Sequence, residues 1–164
     1  MLRLDVLLVL CLGLIVGACS SDPASSGSSP PPVPTLETEP FLDTVQARTF
    51  DYFWETTNTE NGLAPDRWPD PPFSSVAAVG YALTAYPIGV ERGYISRAQA
   101  RERTLTTLKF HWNAPQGDDP SGMTGHWGFF YHFLDMETGD RFQDTELSTI
   151  DTALFLMGAL TAQQ

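Results

Sequence analysis

The chain has 164 residues, of which 42% are hydrophobic and 18% are charged, and this predicts one globular domain. The formal net charge is −11, which makes nucleic acid and anionic membrane surfaces poor partners. The two cysteines, Cys11 and Cys19, lie near the N-terminus, so the rest of the chain has neither a disulfide framework nor a thiolate metal site.

Residues 1–18 are typical of a signal peptide. Arg3 supplies a positive charge, and residues 6–16 form an apolar run too short to span a bilayer. Residues 16–19, Val-Gly-Ala-Cys, resemble the lipobox of bacterial lipoproteins, in which the cysteine is lipidated. The sequence therefore predicts a lipid anchor on Cys19 and a place in the cell envelope. Ser20 favours the outer membrane or a periplasm-facing position. The alternative is an ordinary signal peptide with a chance cysteine.

Residues 19–40 are predicted to be a disordered tether between this anchor and a folded domain at 41–164. Serine, glycine and proline dominate the segment, which has almost no apolar side chains to bury.

Four helices are predicted in the folded domain, and they alternate in character. Residues 41–57 and the helix that begins at Ser96 with a capping box are amphipathic, the latter with Trp112 near its apolar side. Residues 75–85, which Pro87 should end or kink, and residues 148–164 have no polar face and should be buried all round. Long connections precede both buried helices. This pattern predicts a mainly α protein, about two helix pairs of an α/α toroid, rather than a plain four-helix domain.

An aromatic stretch precedes the last helix and predicts a small β-hairpin. Residues 127–134 should form one strand, residues 136–140 a turn, and residues 141–146 a return strand. Alternation places four aromatic side chains on one face, either as core or as a sugar-binding platform: Trp127, Phe129, Tyr131 and Phe133.

Candidate catalytic carboxylates lie in or beside the long connections. They are Glu146, Asp151, Asp135 and Asp66. Glycoside hydrolysis needs two such groups, one as acid and one as nucleophile or base. Two of them have structural alternatives, because Asp151 could close a capping box with Ser148 and Asp135 could start the turn.

Further polar and aromatic residues are predicted to bind the substrate. Asp66, Arg67 and Trp68 lie in a proline-rich connection, and the aromatic stretch adds three more: Trp127, Tyr131 and His132. The three histidines lack the spacing of metal ligands, and no nucleotide-binding motif occurs, so neither metal nor cofactor is predicted.

Four separated blocks of sequence resemble the bacterial glucoamylase-like family. They are residues 73–83, 88–95, 128–135 and 146–154. The resemblance implies an (α/α)6 toroid and activity on a glucan, since members include endo-β-1,2-glucanases. Six helix pairs need a longer chain, so we expect these residues to be the N-terminal part of a lipid-anchored glycoside hydrolase, incomplete and inactive at this length. The alternative is a non-catalytic sugar-binding or scaffold lipoprotein.

Overall fold

The computed structural model describes residues 40–70 and 73–163, so the signal peptide, Cys19 and most of the tether lie outside the described residues. Within those residues the chain is mainly helical, as predicted. The helices are α1 (Pro40–Thr56), α2 (Val76–Glu91), α3 (Arg97–Asn113) and α4 (Thr149–Thr161). The strands are β1 (Ser74–Ser75), β2 (Gly125–His126), β3 (Phe129–Tyr131), β4 (Phe133–Leu134) and β5 (Leu147–Ser148).

Helix α2 lies at the centre of the domain and packs against the other three helices. Its contact with α4 is backbone to backbone, since a Cβ atom on Gly158 would come within 2.1 Å of the Gly80 carbonyl oxygen. Helix α1 approaches α2 through a side chain, because a Cβ atom on Gly89 would lie 2.2 Å from the Phe50 ring. Glycine at these positions allows the helices to approach this closely.

Helix α2 does not end at Pro87, which was one of the two outcomes predicted from the sequence. It continues to Glu91, with Pro87 inside the helix. Proline removes one backbone hydrogen bond there. Burial on both sides of the proline offsets that loss, because Tyr86 and Gly89 are both buried and the Tyr86 ring packs edge-on against Trp54, with centroids 5.8 Å apart.

The aromatic stretch is not the single hairpin that the sequence predicted. A two-residue turn at Trp127 and Gly128 joins β2 to β3, and β3 pairs antiparallel with β5 rather than with residues 141–146. Strand β4 pairs antiparallel with β1. In the predicted return strand, Arg141 forms an isolated bridge with Leu134. The predicted return is therefore present only at its start, where the Phe142 N–H donates to the Phe133 carbonyl oxygen at 3.0 Å. The named strands pair instead with the segments that precede α2 and α4, which local sequence does not reveal.

Burial also differs from the sequence prediction on three helices. Four apolar side chains of α4 are exposed, although the helix was expected to be buried all round: Ile150, Leu156, Met157 and Leu160. Tyr81 and Ile88 of α2 are likewise exposed, and so is Trp112, which was placed near the apolar side of α3. The described residues cover only the side of α4 that faces α2. None of the helices among them is long and apolar enough to cross a membrane.

Candidate functional site

The N-termini of α2 and α4 meet at the segment that contains β3 and β4. The Val76 backbone N–H donates to the His132 carbonyl oxygen at 3.2 Å, and the His132 N–H donates to the Glu146 carbonyl oxygen at 2.9 Å. The backbone C=O and N–H of His132 therefore link the segments at the starts of α2 and α4. Helix N-termini present unpaired N–H groups and a positive field, so this junction is suited to anionic side chains.

The side chain of His132 lies between two carboxylates at this junction. Its Nδ1 is 2.8 Å from Glu146 Oε1, and its Nε2 is 3.7 Å from Asp151 Oδ1. The Glu146 side chain is 69% exposed, whereas that of Asp151 is 8% exposed. One imidazole ring thus separates an accessible carboxylate from a buried one, and the three residues form the candidate site.

Ser148 holds Asp151 in place within the first turn of α4. The Asp151 N–H donates to Ser148 Oγ at 3.2 Å, and the Ser148 hydroxyl donates to Asp151 Oδ2. Ser148 is the N-cap of the helix, but the capping box considered for Asp151 does not form, because its carboxylate accepts the Ser148 hydroxyl and not the Ser148 backbone N–H. The same carboxylate also faces His132. Capping and membership of the site are therefore compatible.

Glu146 is held as a carboxylate. Its pKa lies below the ordinary value, because its own backbone N–H hydrogen-bonds the side chain and the His132 imidazole adds a second hydrogen bond. The Thr145 hydroxyl donates to the other oxygen at 3.3 Å. An ionised group at this exposed position can accept a proton from water or orient a hydroxyl group.

Asp135 does not join the cluster. Its Oδ1 accepts the backbone N–H groups of Glu137 and Thr138, both at 2.9 Å, and the Thr138 hydroxyl at 3.2 Å. These bonds, led by that from the Thr138 N–H, lower the pKa of Asp135. The geometry is that of the turn starter considered from the sequence.

Asp66, Arg67 and Trp68 lie in the connection that precedes α2. The Asp66 N–H donates to the Phe73 carbonyl oxygen at 3.0 Å, and the Arg67 guanidinium lies 5.6 Å from the centroid of the Phe73 ring. Trp68 is exposed.

Two aromatic rings connect this segment to the cluster. The Phe73 ring lies 4.2 Å from that of Phe133, which in turn stacks on His132 with centroids 3.8 Å apart. The segment is therefore part of the surroundings of His132.

The remaining predicted substrate-binding residues lie on the sheet beside the cluster. Tyr131 is half-buried, with the Arg141 guanidinium 4.6 Å from its ring centroid, and Trp127 is exposed on the turn between β2 and β3. The sequence predictions did not assign Arg141 to the site, although its Nε–H donates to the Thr145 carbonyl oxygen at 2.7 Å, next to Glu146. A single arginine in a loop forms no sequence pattern that would assign it to a site.

No cluster of three or more possible metal ligands occurs among residues 40–70 and 73–163.

Comparison with known proteins reveals relatives that act on β-1,2-glucans. No protein-family profile matches the chain. Over 132 residues, 77% of this chain, it is 30% identical to an exo-β-1,2-glucooligosaccharide sophorohydrolase from Parabacteroides distasonis. It spans 17% of the length of that curated relative.

Solved structures that are similar to this chain also include a β-1,2-glucanase. A β-1,2-glucanase from Parabacteroides distasonis matches 74% of this chain at 29% identity, with a TM-score of 0.62, and 17% of that structure is covered. A candidate glucoamylase from Bacteroides fragilis matches 79% of this chain at 26% identity, with a TM-score of 0.60, and 32% of that structure is covered. The predicted resemblance to glucoamylase-like proteins is confirmed over the matched region, as is the predicted fold class, a mainly α part of an (α/α)6 toroid.

Proposed function

We propose that this chain contributes the His132, Glu146 and Asp151 site to a lipid-anchored glycoside hydrolase that acts on a β-1,2-linked glucan. The placement of His132 between two carboxylates at the joined helix N-termini carries the proposal. The sophorohydrolase and the β-1,2-glucanase, which are similar to this chain, support the choice of substrate.

The two carboxylates can divide the work that glycoside hydrolysis requires. One carboxyl group gives its proton to the leaving glycosidic oxygen, and the other acts as nucleophile or removes a proton from water. Glu146, ionised and exposed, suits the second role. Asp151 is the second carboxylate of the cluster, and His132 lies between the two groups.

A hydrolysis assay on the native protein tests the activity. Linear β-1,2-glucan and β-1,3-glucan would be incubated with protein isolated from its own membranes, and new reducing ends would be measured. We expect release from the β-1,2-linked polymer alone. A folded protein that releases nothing from either polymer would refute the hydrolase proposal. The intact mass of the same preparation shows whether further polypeptide accompanies these residues.

The anchor is proposed on Cys19, from the apolar run and the small residues that precede it. Cells expressing the protein would be fed labelled palmitate, with Cys19→Ala as the comparison. Label in the wild type and none in the variant is the expected result. Equal labelling of the two proteins would refute the anchor.

A second candidate function is sugar binding without catalysis. The exposed indoles of Trp68 and Trp127 favour it, because aromatic faces bind sugar rings without any chemical step. Binding of β-1,2-glucooligosaccharides with no hydrolysis in the assay above would select this function.

A further inference from the structure

Trp127 combines a strained backbone with a side chain outside the core. Its φ angle is 51°, in the left-handed region that bulky side chains rarely adopt, and its side chain is 88% exposed. The next residue, Gly128, has a φ of 84°. Two positive φ angles define the hairpin turn that asparagine followed by glycine normally forms. Tryptophan at the first position therefore costs conformational free energy and gains no burial, which is typical of a residue kept for function.

The Gln116 side chain packs against the turn that contains Trp127. The Gln116 side-chain Oε1 accepts the Gly128 N–H at 3.1 Å. Its Nε2 lies so close to Gly125 that a Cβ atom there would be 2.7 Å away. The Gly117 N–H also donates to the Gly125 carbonyl oxygen at 3.0 Å. One amide side chain thus contacts both β2 and the turn that follows it.

The Trp127 indole also packs against a neighbouring aromatic ring. The His126 ring lies against it, with centroids 4.7 Å apart and planes inclined by 38°. Asp118 Oδ1 is 3.0 Å from His126 Nδ1. His126 Nδ1 makes no hydrogen bond within the described part of the chain and the Asp118 side chain is 93% exposed, so the firm support from the loop before β2 is Gln116. An exposed tryptophan held in this way presents a rigid aromatic face to solvent.

We propose that Trp127 is a stacking platform for a sugar ring of the bound glucan, remote from the carboxylates, and that Gln116 is its positioning residue. The proposal rests on the proposed function. Strand β3 (Phe129–Tyr131) lies between Trp127 and His132, and extended chain rises about 3.3 Å per residue, so the indole and the cluster are at opposite ends of that strand. A ligand that contacts both is therefore an oligosaccharide.

The chemistry of the indole suits this ligand. A pyranose ring has a face of C–H groups that packs on an aromatic ring, while the indole N–H remains free to donate to a hydroxyl group. Phe129, the first residue of β3, is also exposed. The platform thus adds affinity for longer chains without touching the reacting bond.

Calorimetric titration with the β-1,2-linked glucose disaccharide and hexasaccharide tests the platform. Trp127→Asn should keep the melting temperature or raise it, because asparagine suits the turn. It should weaken hexasaccharide binding by roughly tenfold or more, the loss of one aromatic contact, and leave disaccharide binding unchanged. Gln116→Leu should reproduce this selective loss, while Gln116→Glu, which keeps an oxygen acceptor for the Gly128 N–H, should restore binding.

Trp112 provides the matched control, since its indole is 89% exposed on α3. Trp112→Ala should bind both ligands as the wild type does. Equal hexasaccharide binding by Trp127→Asn and wild type, or an equal loss in Trp112→Ala, would overturn the platform, as would a wild type that binds neither sugar. Binding with the expected chain-length dependence but without hydrolysis would leave the platform standing and refute the hydrolase.

Discussion

His132 Nδ1 and Glu146 Oε1 lie 2.8 Å apart, although the two residues are separated by 14 positions in the chain. The antiparallel register of β3 and β5 pairs Tyr131 with Leu147, which places His132 opposite Glu146 one step further along. The His132 N–H also donates to the Glu146 carbonyl oxygen at 2.9 Å. Backbone pairing therefore positions the two side chains before any substrate binds.

Glu146→Gln should abolish most of the proposed activity and leave the fold intact. The change keeps the shape of an exposed side chain and removes the charge that His132 contacts. For a general acid or base the loss of turnover should be about 10²–10⁴-fold. Turnover of β-1,2-glucan and circular dichroism would be measured together, with Glu137→Gln, an exposed carboxylate of the turn, as control. A folded Glu146→Gln within a few-fold of wild type would remove Glu146 from the mechanism.

Ser148→Ala should destabilise the protein more than Ser96→Ala. Both serines cap helices, but Ser148 is buried and its hydroxyl also donates to Asp151, whereas Ser96 is exposed. Loss of a cap costs about 1 kcal/mol, and a buried carboxylate left without its donor costs about 1–3 kcal/mol more. Urea unfolding of both variants measures the difference. Equal losses would mean that the bond to Asp151 contributes nothing.

Stability should fall between pH 6.5 and about pH 4 because of His111. Burial lowers its pKa from 6.5 to about 4, so the unfolded chain binds the proton first as the pH falls. The contribution of neutral His111 to the free energy of unfolding is fully present above pH 6.5. It is lost as the pH falls toward 4, by up to roughly 3 kcal/mol.

His111→Phe isolates this effect, since the histidine ring packs against aromatic rings, including Phe155 at 4.4 Å. Unfolding free energies would be measured for both proteins across this pH range. As the pH falls, the free energy of unfolding of the wild type should decrease more steeply than that of His111→Phe. Parallel curves would show that His111 does not cause the loss.

Gly158→Ala should disrupt the packing of α2 against α4. The new methyl group would meet the Gly80 carbonyl oxygen at 2.1 Å, and helix backbones cannot yield as a flexible side chain does. A loss of about 1–3 kcal/mol is expected from such overpacking. Gly117→Ala is the control, because its methyl group would meet only the Met123 sulfur, at 3.0 Å. Thermal unfolding compares the two variants, and similar melting temperatures would contradict the close helix contact.

The helices could be predicted from the sequence because their signals are local. Apolar periodicity and the Ser96 capping box belong to neighbouring residues, and each helix forms about where these patterns place it. The end of α2 was the exception. Pro87 removes a hydrogen bond, but the helix continues to Glu91, with Tyr86 and Gly89 buried on either side of the proline.

The sequence by itself determined the helix order, the serine caps and the presence of Glu146 and Asp151 beside the start of α4. Only the tertiary structure decided which strands pair. Short strands such as β1 and β5 take their stability from partners distant in the chain, and their two residues each carry almost no pattern. That pairing brings His132 between Glu146 and Asp151 while Asp135 stays in its turn. Chain order alone could not separate these carboxylates, since contacts across the sheet depend on a register that no local pattern encodes.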